Sequence, residues 1–457
     1  MHCRIAILGA GISGLACAWF LKKRFGSQID LTLLEASSRV GGWIQTSNQG
    51  SFLFEQGPRG CRPQGTGLVT LRLIEELNLQ NQVITSNPAV QFRYLYTQQK
   101  LQKLPHNLFS FLFSPLMKGV IPALWHDWWL PKGKEQDESI YDFIARRLSS
   151  DLAEKLVDPI ISGIYAGDIK KLSVKACFPW LVNYEQTYGG IVKGCIKHRK
   201  DKMPTSDFIR HIQTFPLFSF KGGMEVLTQA LAQQLEADIH YHCQPIDITL
   251  QAQGVTVYLA KQEPLEFDYV ISALPAFKLK DLLASWHSNL TPLLENFTYA
   301  TAAVVNLGYK ENVLKSKGFG YVIPQQEGEA ILGCVWDSCI FSEQNKTPLE
   351  TRLTVMLGGT HHKRIEKLSS QECATIALDA MHKHLGITKS PNEIVVKIAS
   401  KAIPQYEVGY LDLLASLQHN LNTLAPRLKV LGSTFNGVSV NDCIARAYDI
   451  AHQLDID

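Results

Sequence analysis

Three glycines near the start of the chain, Gly9, Gly11 and Gly14, form the pattern G-x-G-x-x-G directly after the apolar run Ile5–Leu8. This pattern predicts a strand, a tight turn and a helix whose first N–H groups bind a pyrophosphate. Glu35 falls at the end of the next predicted strand, where a carboxylate can accept hydrogen bonds from a ribose. The residues expected to line this dinucleotide site are Gly9, Ala10, Gly11, Ile12, Ser13, Gly14, Glu35 and Ala36.

A second glycine pair, Gly41 and Gly42, follows Arg39 and precedes Trp43. An NAD-binding domain does not usually need a further close approach of backbone so soon after the ribose acid. The string Glu35…Arg39-x-Gly41-Gly42 resembles that of the flavin amine oxidase and protoporphyrinogen oxidase superfamily, in which this segment contacts FAD. The resemblance implies FAD as the cofactor, with Arg39, Gly41, Gly42 and Trp43 in contact with it.

The turn Gly57-Pro58-Arg59-Gly60 holds one arginine between residues that restrict the backbone. By itself the pattern is also typical of a surface β-turn. The longer string GPRGxRP resembles the flavin-proximal turn of oxygen-dependent protoporphyrinogen oxidases. The resemblance implies that Gly57, Pro58, Arg59 and Gly60 contact the cofactor and that Arg59 is a fixed positive charge between FAD and substrate, a catalytic candidate. It leaves the role of Arg62 open.

Two further segments resemble substrate-binding parts of the same family. Arg93, in Arg93-Tyr94-Leu95-Tyr96, matches an arginine that pairs with a tetrapyrrole propionate, a role that suits a guanidinium fork. A surface ion pair is the alternative for Arg93. The stretch 158–168 is expected to be too irregular for a helix interior, and Gly163 within it is the second catalytic candidate, whose carbonyl would contact a pyrrole N–H.

Residues 298–406 contain runs of period two, which predict a half-exposed antiparallel sheet. Phe319, Val322 and Met356 match apolar family positions that sandwich the macrocycle, although the pattern alone would favour ordinary core. The family also packs a β-branched residue, here Ile246, beside the adenine. Its C-terminal turn faces the flavin, and the matching residues are Ser433, Val438, Ser439 and Val440.

The chain of 457 residues, 46% of them hydrophobic, is long enough for two or three lobes. The expected fold class is α/β, with a Rossmann-type FAD-binding domain, an antiparallel-sheet substrate domain and an inserted helical lobe. The FAD-binding domain is expected in three parts, 1–88, 215–290 and 405–457. Residues 89–214 would form the helical lobe and residues 291–404 the substrate domain.

The stretch 108–130 is the most apolar and aromatic part of the chain, with Trp125, Trp128 and Trp129 near its end. Prolines and a lysine interrupt it, so it falls short of the roughly 20 apolar residues that a transmembrane helix needs. Three interpretations stay open: helices that line a hydrophobic tunnel, a surface wedge at a bilayer interface, or plain core helices.

Composition excludes several classes of protein. The formal charge of +3, from 45 basic and 42 acidic residues, argues against an extended nucleic-acid surface. Ten scattered cysteines without a C-x-x-C favour reduced thiols and no metal site. Because the first strand begins by about residue 4, no secretory signal is expected, and we expect a cytoplasmic protein, peripheral on the inner face of the cytoplasmic membrane if stretch 108–130 binds lipid. The sequence leaves the oligomeric state open and is compatible with a dimer.

The resemblance covers almost the whole chain and implies an FAD-dependent oxidase of tetrapyrrole and haem biosynthesis. Such an enzyme would convert protoporphyrinogen IX to protoporphyrin IX in three flavin cycles, with O2 as acceptor and H2O2 as by-product. The alternatives are a coproporphyrinogen III oxidase that forms coproporphyrin III, a flavin amine oxidase, a carotenoid desaturase and a non-catalytic FAD-binding scaffold. Arg59 and Arg93 disfavour the amine oxidase and the desaturase, whose substrates carry no propionate.

Overall fold

A parallel sheet of five strands is built from the two ends and the middle of the chain. The computed structural model describes residues 2–105, 119–133, 136–197, 205–235, 238–251, 254–260, 262–284, 289–435 and 437–456. The sheet has the order β19-β13-β1-β2-β9, where the strands are β1 (Cys3–Leu8), β2 (Ile29–Leu34), β9 (Ile239–His240), β13 (Tyr269–Ser272) and β19 (Leu428–Val430). All neighbouring pairs are parallel, as a Rossmann-type unit requires.

Both faces of this sheet are buried, which explains why β1 is a continuous apolar run rather than an alternating one. Ile5, Ile7 and Leu8 have no exposed surface. One face packs against the helices α1 (Ile12–Phe25), α2 (Gly67–Glu76), α11 (Glu225–Gln234) and α17 (Val440–Gln453). The other face packs against α12 (Ala276–Leu282), α13 (Leu290–Glu295), α16 (Tyr410–Leu424) and an antiparallel sheet of β10 (Pro245–Gln251), β11 (Gly254–Leu259) and β12 (Leu265–Phe267).

A second sheet has seven strands in the order β18-β14-β17-β16-β15-β6-β7. Its strands are β6 (Arg93–Thr97), β7 (Lys100–Lys103), β14 (Thr298–Tyr309), β15 (Gly320–Val322), β16 (Ile331–Val335), β17 (Thr351–Gly358) and β18 (Glu393–Gln405). Val305, Tyr321 and Val355 point into a core that is covered by α15 (Ser370–Leu385). The period-two runs of residues 298–406 therefore predicted β14 to β18 correctly.

The second sheet differs from the predicted one in two respects. It is mixed rather than wholly antiparallel, because β6 runs parallel to β15. In addition, β6 pairs with β15 and β7 pairs with β6, whereas the predicted boundary at residue 89 grouped both strands with the helical lobe. The remaining predicted boundaries stay a proposal.

A lobe of helices lies between β7 and β8 (Phe218–Phe220) along the chain. Its helices are α3 (Val120–Trp129), α4 (Ile140–Arg147), α5 (Ser150–Leu152), α6 (Asp158–Tyr165), α7 (Val174–Cys177), α8 (Pro179–Tyr188), α9 (Ile191–Lys197) and α10 (Asp207–Ile212). Arg147 Nε donates to Asp127 Oδ1 at 2.6 Å, and its Nη1 lies 3.3 Å from Glu185 Oε1. All three side chains are buried. Because a buried charge must be paired, this cluster fixes α4 against α3 and α8.

Two local predictions are wrong. Residues 158–165 form the regular helix α6 instead of an irregular segment, and Gly163 lies in its last turn. The helix tolerates Pro159 in its first turn, where no N–H is required, and ends at Ala166, which is left-handed with φ of 48°. The apolar periodicity of residues 68–79 predicts a helix with Thr70 on its wetter face, but in α2 Thr70 is buried, and its Oγ1 donates to Asn441 Oδ1 at 2.8 Å.

Short elements connect these layers. β3 (Thr46–Gln49) pairs with β4 (Phe52–Glu55), β5 (Val83–Thr85) pairs with β8, and α14 (Asp337–Ile340) follows β16. Residues 108–118 of the apolar stretch 108–130 lie outside the described residues, and most of its remainder forms α3. No helix in the described ranges is long and apolar enough to cross a bilayer.

Candidate active site

The loop between β1 and α1 lies directly against the loop after β2. Gly41 N donates to Ala10 O at 2.8 Å, and Gly11 forms a parallel bridge with Gly41. Gly9 has φ of 94°, and a Cβ on Gly14 would stand only 2.0 Å from Gly9 O. The two glycine motifs therefore form one continuous backbone surface, with no room for a side chain at Gly14.

The start of α1 fits the pyrophosphate of FAD. Gly11 is its N-cap residue, no side chain caps the helix, and its first turn carries no acid. Its first N–H groups are therefore open to an external anion. A Cβ on Gly11 would meet only Gly42 Cα, at 3.8 Å, so the space above Gly11 is open. Gly11, Ile12 and Ser13 would hold the phosphate oxygens there.

Glu35 and Arg39 brace the two loops. Glu35 Oε2 accepts a hydrogen bond from Ala10 N at 2.9 Å, and Oε1 accepts one from Ser37 N at 2.9 Å. Oε1 also accepts a hydrogen bond from Ser37 Oγ at 2.7 Å, so the oxygen with a further lone pair for a ribose hydroxyl is Oε2. The Arg39 guanidinium donates at 2.6–3.2 Å to the carbonyls of Val40, Gly42 and Ile44. Arg39 thus holds the shape of the glycine pair.

Two predicted cofactor contacts are large apolar side chains that water reaches. Trp43 is 43% exposed and Ile246 is 53% exposed. Ile246 lies at an irregularity in the register of β10, between Pro245 and Asp247. Apolar surface of this kind on the predicted path of a dinucleotide is available for contact with it.

The C-terminal turn is held by three tyrosine hydroxyls. Tyr406 Oη donates to Ser433 O, Tyr410 Oη donates to Thr434 O at 2.9 Å, and Tyr299 Oη lies 2.9 Å from Thr434 Oγ1. Beyond this turn, the predicted contacts Val438 and Ser439 remain accessible, and Val440 is buried as α17 begins. Since α17 packs against α1, the first and last segments of the chain meet at one place.

Tyr410→Phe should loosen this turn without removing the aromatic stack of Tyr410 on Tyr406. The carbonyl of Thr434 would lose its buried donor, at a cost of about 1–3 kcal/mol. We expect a lower midpoint of thermal unfolding together with faster loss of FAD on dialysis. Tyr448→Phe, at an exposed tyrosine of α17, is the control, and equal FAD loss in both variants would contradict the role given to Tyr410.

The turn that carries Arg59 lies beneath the glycine pair, because a Cβ on Gly57 would stand 2.0 Å from Trp43 O. Ser219 Oγ donates to Arg59 O at 2.9 Å and fixes the turn from β8. The Arg59 side chain is only 16% exposed, and its Nη1 lies 3.4 Å from Asp337 Oδ1. Arg59 is therefore a fixed charge, as the resemblance implied, but a paired one.

Asp337 belongs to a buried polar network that joins the seven-stranded sheet to β4. Thr354 Oγ1 donates to Asp337 Oδ2 at 2.6 Å, and Asn306 Nδ2 donates to Glu55 O at 3.1 Å. The Glu55 carboxylate accepts from Met224 N at 2.7 Å. Burial of this carboxyl group nevertheless raises the pKa of Glu55 to about 7. An acid that titrates near neutrality thus lies four residues before Arg59.

The predicted substrate residues Val322 and Met356 share one face of the seven-stranded sheet. Val322 of β15 is paired with Gly333 of β16, and Gly333 is paired with Met356 of β17. Paired residues in neighbouring strands point to the same face. Gly333 adds no side chain between them, so the three positions form a flat apolar wall, which we call the slot wall.

Gly163 and Arg59 approach the slot wall from different elements. A Cβ on Gly163 would lie 3.4 Å from Val322 Cγ1, so α6 faces the wall. Met356 lies two residues after Thr354 on β17, a spacing of roughly 7 Å. Since Thr354 bonds Asp337, the partner of Arg59, the structure brings both predicted catalytic residues to this face.

Arg93 and Phe319 lie next to each other at the end of the same sheet. The Arg93 Cζ atom is 5.3 Å from the centroid of the Phe319 ring, a cation–π contact. Phe319 also packs against a cluster that contains Ile340 and Phe341. In this arrangement Phe319 supports the arginine as well as facing the site.

Several residues of the site were not predicted. Asp337, Thr354 and Glu55 form the network under Arg59, and Arg352 ties it to β4 by donating to Leu53 O at 3.0 Å. Of these residues, Glu55 is the one that the sequence could indicate, because it is a single acidic residue at the end of the otherwise apolar strand Phe52–Glu55. Buried acids are rare unless they are bonded, and such a position indicates a role.

Comparison with known proteins identifies the family. The family model of flavin containing amine oxidoreductases matches residues 12–454, and the chain belongs to this family. A protoporphyrinogen oxidase of Homo sapiens is 36% identical, with 96% of each chain covered. A coproporphyrinogen III oxidase of Bacillus subtilis is 27% identical, with 96% of this chain and 95% of the relative covered.

A solved structure from Exiguobacterium sp., provisionally named a protoporphyrinogen oxidase, matches with a TM-score of 0.85 at 25% identity. The match covers 99% of this chain and 98% of the other. The predicted α/β fold class is thereby confirmed, as is FAD as the cofactor. The protein is a flavin-dependent oxidoreductase.

Proposed function

We propose that this chain is an FAD-dependent oxidase that converts protoporphyrinogen IX to protoporphyrin IX, with O2 as the electron acceptor. The observation that carries the proposal is the slot wall of Val322, Gly333 and Met356, with Gly163 in contact with the wall at Val322. A flat apolar surface bordered by helix backbone suits one face of a tetrapyrrole ring. The names of the relatives support this substrate.

The residues of the chain would position the substrate for oxidation. Bound FAD supplies the chemistry of accepting two electrons from a substrate carbon and passing them to O2. The slot wall would exclude water and hold the macrocycle flat, while Arg93 binds a propionate. The Gly163 carbonyl lies in the last turn of α6, where carbonyls have no partner further along the helix, so it can accept a hydrogen bond from a pyrrole N–H.

The overall reaction removes six hydrogens from the substrate in three equal steps. In each step one methylene bridge of the substrate loses a hydride and the macrocycle loses a proton. Over the three steps two of these protons leave pyrrole nitrogens and the third leaves the remaining methylene bridge, so that the product has four CH bridges and two N–H groups. Each step also reduces one O2 to H2O2, so that electrons and protons balance. No strong acid or base is needed, because the carbonyl of Gly163 or water can assist the departure of the proton.

Anaerobic mixing with porphyrinogens tests the proposed function. Protoporphyrinogen should bleach the yellow FAD absorbance of the purified holoenzyme, and admission of O2 should restore it and form H2O2. Coproporphyrinogen, mixed in a parallel experiment, should bleach the flavin more slowly. Faster bleaching by coproporphyrinogen would support the alternative that the Bacillus subtilis relative suggests, and no bleaching by either would refute the porphyrinogen oxidase.

We further propose that the protein binds the membrane surface through α3. One side of this helix exposes Ile121, Leu124, Trp125 and Trp129, by 53%, 36%, 68% and 68%. The neighbouring α9 adds Ile196, which is 69% exposed, and Lys193, whose Nζ lies 5.4 Å from the Trp128 ring. Tryptophans with nearby lysines are typical of a helix that lies in a bilayer interface.

Replacing both exposed tryptophans of α3 should release the protein from lipid. The wild type should sediment with phosphatidylglycerol vesicles, and Trp125→Ser combined with Trp129→Ser should remain in the supernatant, because the aromatic anchors are lost. Leu349→Ser, at a side chain that is 63% exposed outside the lobe, is the control and should still sediment. If the wild-type protein does not sediment with the vesicles, the membrane proposal is contradicted.

A further inference from the structure

Arg62 and Arg93 are two arginines whose side chains form no ion pair within the described parts of the chain. Arg93 makes the cation–π contact with Phe319, and both arginine residues are exposed. Two less exposed arginines near the site differ, since Arg59 is paired with Asp337 and Arg352 lies 3.4 Å from Glu350. The two unpaired cations are therefore available to an anionic ligand.

The backbone holds both arginines rigidly. Arg62 O accepts a hydrogen bond from Asn441 Nδ2 at 2.8 Å, and the preceding Cys61 exchanges two hydrogen bonds with Phe218 at 2.8 and 2.9 Å. Arg93 is paired with Gly320 within the seven-stranded sheet. Neither side chain extends from a loose loop, so little backbone freedom is lost when a ligand binds.

One apolar cluster brings the two arginines together. A Cβ on Gly60, two residues before Arg62, would stand 2.9 Å from Phe341 Cζ. Phe341 and Phe319 belong to the same cluster, and Arg93 lies over Phe319. Burial and the nearby charge of Arg62 both lower the pKa of Arg93. The two guanidinium groups are thus close enough to repel each other.

Repulsion between two unpaired cations is unfavourable unless a ligand neutralises it. A single carboxylate would satisfy one guanidinium and leave the other unpaired. Two carboxylates on one ligand would satisfy both, each through parallel hydrogen bonds to a guanidinium fork. The pair is therefore suited to a dianionic edge rather than to a monocarboxylate.

We propose that Arg62 and Arg93 bind the two carboxylates of a dicarboxylated tetrapyrrole, one guanidinium to each carboxylate. This inference rests on the proposed function and deepens it, because Arg62 then determines specificity for a substrate with two acidic groups on one edge. The opposite edge of such a substrate would lie against the apolar slot wall, where further carboxylates would lose their water without gaining a partner. Because coproporphyrinogen also offers two carboxylates to Arg62 and Arg93, it is the slot wall that favours protoporphyrinogen over this tetracarboxylate.

Binding of the stable product separates this proposal from the reaction itself. We would titrate the holoenzyme with protoporphyrin IX and with its dimethyl ester and follow the fluorescence of the porphyrin. Arg62→Ala and Arg93→Ala should each raise the Kd of the diacid by about tenfold. Arg62→Lys should recover part of the loss, since an ammonium keeps the charge but not the fork. Neither alanine variant should change the Kd of the diester.

Arg72→Ala, at an exposed arginine of α2, is the matched control and should change neither Kd. The FAD content of every variant should equal that of the wild type. An unchanged diacid Kd in Arg62→Ala, with a raised one in Arg93→Ala, would overturn the role of Arg62. If the wild type binds the diacid tightly but porphyrinogens do not bleach its flavin, the proposed function fails while the carboxylate pair stands.

Discussion

Gly11→Val is expected to yield a folded protein that retains no FAD. The Cβ of the valine would meet only Gly42 Cα at 3.8 Å, so the protein itself can accept a side chain at this position. The two methyl groups would fill the open space over the N-terminus of α1, where the pyrophosphate is expected. Since the phosphate oxygens need contact with backbone N–H groups, the loss should be complete rather than graded.

The measurement is the ratio of absorbance at 450 nm, roughly the maximum of oxidised flavin, to protein absorbance after purification, together with circular dichroism. Gly14→Ala provides the contrast, because its Cβ would stand 2.0 Å from Gly9 O and should destabilise the fold itself. Gly11→Ala should lose FAD in part and keep its fold. A purified Gly11→Val protein with full flavin content would show that the pyrophosphate does not lie over Gly11.

The sequence could predict the parts of the site that are local in the chain. The glycine pattern at residues 9–14 specifies a turn and a helix start by itself, and the structure has both. The pair of Arg59 and Asp337 is different, because 278 positions separate its members. No spacing in the sequence predicts such a contact. It forms because β4 packs against the seven-stranded sheet.

The slot wall shows a second limit of sequence reasoning. Val322 and Met356 were predicted as substrate contacts from the family resemblance, and they lie in separate runs of period two, so whether they share a face depends on strand register. The register shifts between Ile331 and Gly333, where β16 pairs with β17. A shift of one residue moves every later side chain to the opposite face, and the sequence alone does not fix it.

Local signals also failed where the tertiary environment dominates. Gly163 suggested an irregular segment, but the helix α6 tolerates it because the left-handed Ala166 ends the helix just beyond. Likewise, Thr70 is polar but buried, because Asn441 of α17 accepts a hydrogen bond from its hydroxyl group. In both cases the partner that decides the outcome lies outside the local sequence pattern.

Glu55→Gln is expected to remove a pH dependence of stability that belongs to this single buried acid. Burial raises the pKa of Glu55 from its ordinary value of 4.5 to about 7 in the folded protein. Between these two pH values the folded state binds more protons than the unfolded state, so stability falls as pH rises. The loss begins near pH 4.5, is complete above about pH 7, and amounts to about 3 kcal/mol.

Urea unfolding of the holoenzyme in excess FAD, from pH 5 to pH 8, measures the effect. The free energy of unfolding of Glu55→Gln, minus that of the wild type, should rise by about 2–3 kcal/mol over this range. The glutamine can still accept a hydrogen bond from Met224 N, so the difference reports mainly the charge. A difference that stays constant with pH would show that Glu55 is ionised throughout.

Thr46→Val tests the same carboxyl group by removing a hydrogen bond that favours its ionised form. Thr46 Oγ1 donates to Glu55 Oε2 at 2.9 Å, and this hydrogen bond favours the ionised form of Glu55 and lowers its pKa. Without the hydroxyl, the pKa of Glu55 should rise further, and the loss of stability should extend to higher pH than in the wild type. In the double variant with Glu55→Gln this extension should vanish, because there is no longer a proton to lose. If the extension survives in the double variant, a group other than Glu55 is the one that titrates.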